Sequence, residues 1–233
     1  MIKAVIFDQD GLMFDTERIS GIAWHQAEKE WGIHLEESFL KTIRGMNHQD
    51  ARIRFEEVFG DSVDFMAFRG KKQEIFEALL EKDGIPVKPG LYELLEYLEA
   101  QKIPAALASA SRMEYTERNL EKTGIRRYFC HLVTGDMVSH AKPNPEIFWK
   151  AAELLGEKPE VFLKAAEKAH AAPADCLVLE DSLNGVEAGL RGGFVTVMVP
   201  DLTQPEEELK KRVYRVCSSL LEVKEMLEAE RAG

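Results

Sequence analysis

Two carboxylates stand two residues apart where the first apolar segment of the sequence ends. Asp8 and Asp10 follow the apolar run of residues 4–7 and precede Gly11. In an extended chain, residues i and i+2 point to the same side, so both carboxylates can face one cavity. Two acids at the exit of a buried strand cost desolvation free energy unless a cation lies beside them. The pair therefore indicates either an acidic catalytic centre or a polar turn, in which Asp-Gly is common.

Three further segments carry polar groups of complementary chemistry. Ser109 ends a short apolar run and offers a hydroxyl and a backbone N–H just before a predicted helix, which suits a phosphate. The prolines that follow Lys142 would hold its loop rigid and present the ammonium as a point charge. Glu180 and Asp181 follow another apolar run. Taken singly, each feature also fits a helix cap or a solvated loop residue.

Together, the four segments offer four acids, a hydroxyl and a lysine. Oxygen ligands of this kind hold hard divalent cations, so the acids point to Mg²⁺. Lysine, hydroxyl and backbone N–H groups suit a phosphate. The sequence contains no Gly-x-Ser-x-Gly, Walker or Gly-x-Gly-x-x-Gly motif and no pair of histidines at metal-ligand spacing. The set favours a site that binds a phosphate beside a divalent cation.

Strands and helices alternate around these segments. The predicted strands lie at residues 3–8, 104–108, 131–134, 176–180 and 194–199. Such alternation predicts an α/β fold, a parallel sheet with helices on both faces. Ligands bind at the carboxyl ends of the strands in sheets of this kind, and the polar residues follow the first, second and fourth strands. We therefore expect one shared cavity, lined by residues 8, 10, 109, 142 and 181.

A helical insert separates the first strand from the rest of the sheet. Residues 16–86 are rich in Glu, Lys, Phe and Leu and contain no convincing strand. The first helix has Thr16 as a candidate cap and ends at Gly32. Its predicted apolar face consists of Ile19, Ile22, Ala23, Ala27 and Trp31. We expect a core domain of residues 1–15 and 87–233 and a helical domain of residues 16–86.

The composition argues against several other classes of protein. The 233 residues carry 30 Lys and Arg against 41 Asp and Glu, a net charge of −11, and 45% are hydrophobic, which argues against disorder. The acidic balance disfavours a nucleic-acid duplex or a membrane surface as partner. The three cysteines form no CxxC pair, and the first residues lack the apolar core of a signal peptide, so we expect a cytoplasmic protein. We also expect a monomer.

The ordered motifs resemble those of the haloacid dehalogenase (HAD) superfamily. The matching segments are Asp8-Gln-Asp-Gly-Leu-Met-Phe-Asp-Thr-Glu17, Ser109, Lys142-Pro and Glu180-Asp-Ser-Leu-Asn-Gly-Val-Glu-Ala-Gly189. They follow the order of the superfamily and cover nearly the whole chain. The subgroup that they resemble is the β-phosphoglucomutase-like phosphatases, which implies a HAD-like Rossmannoid sheet with a small all-helical C1 cap. The dehalogenase branch lacks the second acid, which this chain retains as Asp10.

The resemblance implies an Mg²⁺-dependent phosphomonoesterase that works through an aspartyl-phosphate. Asp8 would be the nucleophile and Asp10 the general acid and base. The carboxylate of Asp8, the backbone carbonyl of Asp10 and the carboxylate of Asp181 would hold Mg²⁺. Glu180 would act mainly through a bound water.

The resemblance also implies how the substrate is held. Ser109, the N–H of Ala110 and Lys142 would bind the transferring phosphoryl group of a small-molecule phosphate ester, such as a sugar phosphate or a nucleoside monophosphate. The cap should close over the core and exclude water. The candidate specificity residues in the insert are Trp24, Arg44, Gly45 and His48. For Trp24, packing between helices is the alternative.

Two other functions stay open. Phosphosugar mutases of the superfamily carry a His on the first cap helix and an Arg shortly after the cap glycine. The matching positions here are Ser20 and His48, which disfavours a mutase. A non-catalytic phosphate-binding regulator on the same fold could lose Asp8, Asp10 or Lys142, and all three are present.

A short repeat lies between Lys142 and the fourth strand. Residues 145–153 recur as residues 159–167 with a period of 14. Two copies are too few for a solenoid, so the repeat predicts an additional or longer surface helix away from the site rather than a duplicated binding element.

Overall fold

A six-stranded parallel sheet forms the centre of the larger of two structural units. The computed structural model describes residues 2–43, 48–156 and 173–232. The chain divides into a core unit, Met1–Asp15 with Pro86–Gly233, and a helical unit, Thr16–Ile85.

The sheet has the connectivity expected of an α/β protein. Its strands are β1 (Ala4–Phe7), β2 (Ala105–Ser109), β3 (Phe129–Thr134), β4 (Cys176–Glu180), β5 (Val195–Met198) and β6 (Arg215–Val216). They lie in the order β3-β2-β1-β4-β5-β6, and every neighbouring pair is parallel. All residues of β1, β2 and β4 are buried, so both faces of the sheet are covered there. The predicted α/β fold is confirmed.

Helices occupy the segments between the strands. They are α1 (Thr16–Trp31), α2 (Glu37–Ile43), α3 (His48–Phe59), α4 (Phe65–Asp83), α5 (Leu91–Ala100), α6 (Met113–Lys122), α7 (Glu146–Gly156), α8 (Leu183–Arg191), α9 (Glu207–Lys210) and α10 (Leu220–Ala232). Short 3-10 turns lie at Gly60–Ser62, Arg126–Tyr128, Gly135–Met137 and Pro173–Asp175. Among the described residues, no helix is both long and apolar enough to cross a bilayer.

Side chains of α7 fill one face of the sheet. Phe148 is fully buried and lies in one cluster with Ile6 and Val178 of the central strands. The spacing of Ile147, Phe148 and Ala151 puts one stripe of α7 against the sheet. The first copy of the sequence repeat, residues 145–153, therefore supplies core packing. The second copy lies outside the described residues, and so does the surface helix predicted from it.

Aromatic rings pack the helical unit. Phe68 of α4 lies 5.7 Å from Trp24 and 5.6 Å from Trp31 between ring centroids. The buried residues on α1 include Ala23 and Ala27, whose small side chains let a neighbouring helix approach closely. The predicted apolar face of α1 is confirmed at Ala23 and Ala27, which are buried, and is wrong at Ile22 and Trp31, which are each 37% exposed.

The chain leaves the core unit and returns to it at adjacent backbone segments. The N–H of Asp15 donates to the carbonyl of Pro86 at 2.8 Å, and the N–H of Lys88 donates to that of Met13 at 2.9 Å. Lys88 also pairs with Asp201 at 2.5 Å. These contacts join the outgoing and returning segments within the core unit.

Candidate active site

Three polar residues end neighbouring strands at one edge of the sheet. Asp8 follows β1, Ser109 ends β2 and Glu180 ends β4. Because β1 lies between β2 and β4, these residues meet at the carboxyl edge of the sheet. The N–H of Asp8 donates to the carbonyl of Leu179 at 3.0 Å, which continues the sheet one residue beyond β1. The structure thus brings the predicted strand-end residues together.

Lys142 lies between two of the acids. Its Nζ donates to Asp8 Oδ1 at 2.5 Å, to Glu180 Oε1 at 2.7 Å and to the carbonyl of Ala108 at 3.1 Å. An ammonium has three protons, so these three acceptors can take all of them. The side chain of Lys142 is only 9% exposed, and its Nζ lies 4.8 Å from the ring centroid of Phe148. The buried contacts therefore fix the position of the ammonium.

Three buried carboxylates form a cluster that can hold a cation. Asp8, Glu180 and Asp181 each offer one oxygen, and these oxygens lie within 4.8 Å of one another. Burial raises the pKa of Asp8, Lys142 offsets only part of that effect, and Glu180 adds to it. Burial alone would lower the pKa of Lys142, but Asp8 and Glu180 raise it above its usual value.

The charge of this cluster fits a divalent cation. Three carboxylates share one ammonium, so two negative charges remain uncompensated when all groups are ionised. The donors are carboxylate oxygens, which are the ligands that Mg²⁺ and Ca²⁺ take from proteins. The donor set therefore fits the cation that the sequence predicts at this place.

Glu180 is held at both of its oxygens. While Oε1 accepts from Lys142, Oε2 accepts from the N–H of Asp181, the N–H of Ser182 and the hydroxyl of Ser182 at 2.9–3.1 Å. The Ser182 hydroxyl in turn accepts from the N–H of Gly185 and caps α8. A Cβ at Gly185 would lie 1.8 Å from Glu180 Oε1, so only glycine leaves room for this carboxylate. Glu180 thus joins Lys142 to the start of α8.

Gly11 makes room for Asp181 in a similar way. Its φ is +92°, which disfavours any residue with a side chain, and an added Cβ would lie 2.2 Å from Asp181 Oδ2. The N–H of Gly11 donates to the carbonyl of Phe14 at 2.8 Å and closes a turn. The Asp-Gly sequence therefore forms a polar turn and also admits a buried carboxylate.

The carboxylate of Asp10 accepts hydrogen bonds on both oxygens. The hydroxyl of Ser111 donates to Oδ2 at 2.8 Å, and the hydroxyl of Tyr115 donates to Oδ1 at 3.2 Å. Gln9 Nε2 also lies 3.3 Å from Oδ2. Sequence reasoning missed Ser111 and Tyr115. The available signal was a second serine two residues after Ser109.

A short loop connects the end of β2 to this pair. The hydroxyl of Ser109 is buried and accepts from the N–H of Ser111 at 3.1 Å. The carbonyl of Ser111 accepts from the N–H of Gly135 at 3.0 Å. Ala110, the other residue predicted to bind phosphate, is exposed between the two serines. The loop is therefore fixed on both sides, and its middle residue faces solvent.

The candidate specificity residues belong to the helical unit. Trp24 packs against Phe68, and Lys72 Nζ lies 5.5 Å from the centroid of its ring. These contacts favour the interpretation of Trp24 as a packing residue. His48 begins α3. Arg44, Gly45 and the side chain of His48 lie outside the described part of the chain.

Comparison with known proteins agrees with this geometry. The model of the haloacid dehalogenase-like hydrolase family matches residues 2–193. The chain is 28% identical over 232 residues to a phosphorylated carbohydrates phosphatase of Thermotoga maritima, covering 98% of this chain and 91% of the relative. It is 27% identical over 206 residues to the β-phosphoglucomutase of Bacillus subtilis, covering 85% of this chain and 83% of the relative.

The likeness extends to solved structures. A crystal structure of β-phosphoglucomutase from Clostridium difficile superposes with a TM-score of 0.74 at 25% identity, covering 99% of this chain and 96% of that one. The ordered motifs, the parallel sheet and the family match agree, and the chain therefore belongs to the haloacid dehalogenase-like hydrolases, as an enzyme of the HAD phosphatase type.

Proposed function

We propose that this enzyme is an Mg²⁺-dependent phosphomonoesterase that acts on a small phosphorylated metabolite, a sugar phosphate or a nucleoside monophosphate, through an aspartyl-phosphate on Asp8. One observation carries the proposal: the buried Asp8 carboxylate lies 2.5 Å from Lys142 and within 4.8 Å of acidic oxygens on Glu180 and Asp181. The length of the match to a phosphatase of phosphorylated carbohydrates supports the substrate class. On the resemblance of the sequence, the helical unit is assigned the role of a C1 cap.

The first chemical step transfers the phosphoryl group to Asp8. A carboxylate oxygen of Asp8 forms a bond to phosphorus while the bond from phosphorus to the ester oxygen breaks. Asp10 gives its proton to the leaving alkoxide. Lys142 reduces the repulsion between the carboxylate and the phosphate dianion, because its ammonium already contacts Asp8.

The second step returns the enzyme to its starting state. A water attacks phosphorus as the bond to Asp8 breaks, and inorganic phosphate leaves. Asp10 takes the proton of this water and regains the proton that it gave in the first step. Ser109 and the N–H of Ala110 hold the phosphoryl oxygens in both steps.

Asp8, Asp181 and the backbone carbonyl of Asp10 are the proposed Mg²⁺ ligands. The cation supplies positive charge beside the transferring phosphoryl group when it is bound. Glu180 accepts a hydrogen bond from Lys142 and so fixes the position of that ammonium, and it adds one negative charge to the cluster.

The substitution Asp8→Asn tests the nucleophile. The amide keeps the size of the carboxylate but is a poor nucleophile, so we expect phosphate release to fall by about a thousandfold or more while the far-UV spectrum stays unchanged. Asp175→Asn is the matched control, because Asp175 precedes β4 at the opposite edge of the sheet and its side chain forms an exposed ion pair with Lys3. Wild-type turnover by Asp8→Asn would refute the assignment.

Chelation tests the cation. Phosphate release in EDTA should fall to background and return when Mg²⁺ is added in excess. Activity that survives complete chelation would contradict the metal site.

A phosphosugar mutase is the second candidate. The similarity to β-phosphoglucomutases over most of the chain favours it. Incubation with β-glucose 1-phosphate and β-glucose 1,6-bisphosphate separates the two functions. Conversion to glucose 6-phosphate indicates a mutase, and release of inorganic phosphate without isomerisation indicates a phosphatase.

A further inference from the structure

Two neutral hydroxyl groups, one from the loop after β2 and one from α6, donate hydrogen bonds to the Asp10 carboxylate. Ser111 donates to Oδ2 at 2.8 Å and Tyr115 donates to Oδ1 at 3.2 Å. A single donor would leave the carboxylate free to rotate about its bond to Cβ. Donors on both oxygens fix its position and its plane together.

The backbone places both hydroxyls with little freedom. Ser111 is held by hydrogen bonds at its N–H and its carbonyl, to Ser109 and Gly135. Tyr115 is the third residue of α6, one turn from the loop that contains Ser111. The guanidinium carbon of Arg118 lies 5.4 Å from the ring centroid of Tyr115, which restrains the ring from the next turn. The pair is therefore a rigid support for the side chain of Asp10, which lies in the turn after β1.

Hydroxyl groups suit a residue that gains and loses a proton. A hydroxyl can donate to an ionised carboxylate and can accept from a protonated one. An arginine or a lysine in the same place could only donate. Ser111 and Tyr115 can thus stay in contact with Asp10 through both chemical steps.

We propose that Tyr115, with Ser111, is a positioning residue that aims Asp10 at the oxygen of the leaving group. The proposal rests on the role of Asp10 as general acid under the proposed function. The proposal predicts that the rate loss depends on the leaving group of the ester. An alkoxide leaving group needs the proton of Asp10, whereas 4-nitrophenolate is stable as an anion and leaves without it. Loss of the support should therefore harm alkyl phosphates and spare 4-nitrophenyl phosphate.

The experiment compares kcat/KM for two esters in the full-length enzyme with Mg²⁺. The esters are 4-nitrophenyl phosphate and glucose 6-phosphate, or any alkyl phosphate that the wild type cleaves faster. We use kcat/KM because it covers the steps up to phosphoryl transfer and excludes hydrolysis of the aspartyl-phosphate. For Tyr115→Phe we expect a loss of about tenfold with the alkyl ester and a change within about twofold with the nitrophenyl ester.

Two further variants control for structural effects. Ser111→Ala removes the hydroxyl that donates to Oδ2 and should give the same selective loss, so this variant tests the proposal if Tyr115→Phe fails to fold. Tyr214→Phe removes the hydroxyl of an exposed tyrosine that bonds Glu230, and both rate constants should stay at wild-type values. In an Asp10→Ala background, Tyr115→Phe should cause no further loss with the alkyl ester.

The outcomes separate this inference from the function on which it rests. Equal losses with both esters would mean a merely structural role for Tyr115 and would overturn the inference, and so would no loss with either. A wild-type enzyme that cleaves neither these esters nor other phosphate esters would overturn the proposed function and this inference with it. A selective loss of activity toward the alkyl ester supports both.

Discussion

Lys142 is the residue on which the charge balance of the site depends. Its ammonium contacts Asp8 and Glu180, both of which are almost fully buried. A buried ion pair contributes little over an apolar replacement of the whole set, but the loss of one partner leaves a buried charge without compensation. The site should therefore be more sensitive to the loss of Lys142 than to the loss of an acid.

We expect Lys142→Met to lower the free energy of unfolding by about 3 kcal/mol in metal-free protein, because the buried carboxylates of Asp8 and Glu180 lose the ammonium that pairs with them. Adding Asp8→Asn to this variant should restore much of the stability but none of the activity. Urea denaturation measures the stability of both variants, and phosphate release measures their activity. Lys150→Met is the control, since Lys150 makes one hydrogen bond to the carbonyl of Met137 and should change stability by about 1 kcal/mol or less. A double variant no more stable than Lys142→Met would contradict this charge balance.

The cysteines should resist thiol reagents in the folded protein. Burial raises the pKa of Cys130, Cys176 and Cys217 to about 11. At pH 8 about one thiol in a thousand would then be ionised, against about a quarter in an unfolded chain. We expect reaction with Ellman's reagent to be about a hundredfold slower without denaturant than in urea. Fast reaction of all three thiols in the native protein would contradict their burial.

The same shifts predict how alkaline pH affects stability. Between about pH 9 and pH 11 the unfolded chain loses thiol protons that the folded chain keeps. The free energy of unfolding should therefore fall as the pH rises through this window.

At the scale of single residues, the sequence was informative where chemistry and strand ends coincide. Asp8, Ser109 and Glu180 could be predicted to meet because each is a polar residue directly after an apolar run. Tyr115 could not, because a tyrosine in the first turn of a helix carries no signal of what its hydroxyl contacts. The direct bond from Lys142 to Glu180 was equally hidden, since it depends on the course of a loop.

At the scale of elements, the turn from β4 into α8 sets the position of the acids. Glu180 accepts from the backbone of the next two residues, and Ser182 caps the helix that follows. Gly185 must lack a side chain because Glu180 occupies the space where a Cβ would be. A small set of contacts thus couples the start of a helix to the site.

We expect Gly185→Ala to displace Glu180, reduce kcat by at least about tenfold and lower stability by about 1–3 kcal/mol, because the added methyl group overlaps a buried carboxylate. Gly70→Ala is the matched control. Gly70 lies inside α4 with open space around it, so alanine there should raise stability by about 0.5–1 kcal/mol and leave activity unchanged. Thermal denaturation and phosphate release measure the pair. Equal effects of the two substitutions would contradict the contact.

The elements could be predicted where the hydrophobic pattern is strong. The strands at β1, β2 and β4 follow from apolar runs that are buried on both faces. β6 could not be predicted, because its two residues, Arg215 and Val216, are too few to form a pattern. On α1, Ala23 and Ala27 of the predicted face are buried, whereas Ile22 and Trp31 of the same face are each 37% exposed, because periodicity alone does not show which apolar stripe meets a neighbour.

At the scale of the whole molecule, a cation at the acidic cluster should raise stability. The cluster has two excess negative charges when all its groups are ionised, so the folded chain offers a cation site that the unfolded chain does not. We expect Mg²⁺ at about a hundred times its dissociation constant to add about 2.7 kcal/mol, a rise of roughly 5–10 °C in the melting temperature. Asp181→Asn should lose most of this rise, and the control Asp175→Asn should keep it. An unchanged rise in Asp181→Asn would remove Asp181 from the ligands.

The sequence also predicts a division of the chain, since the pattern changes from helical to alternating at Pro86. The pattern could not show that the segment leaving the core unit and the segment returning to it are bonded to each other. In the structure, the segments around Asp15 and Pro86 bond to each other within the core unit.

This pairing makes the helical unit, Thr16–Ile85, an insertion of 70 residues whose two ends leave the core unit at adjacent positions. Evolution could lengthen, shorten or exchange this segment without changing the order of the strands in the core unit. The sequence of these 70 residues can therefore change during evolution while the strands that carry the carboxylate cluster keep their order.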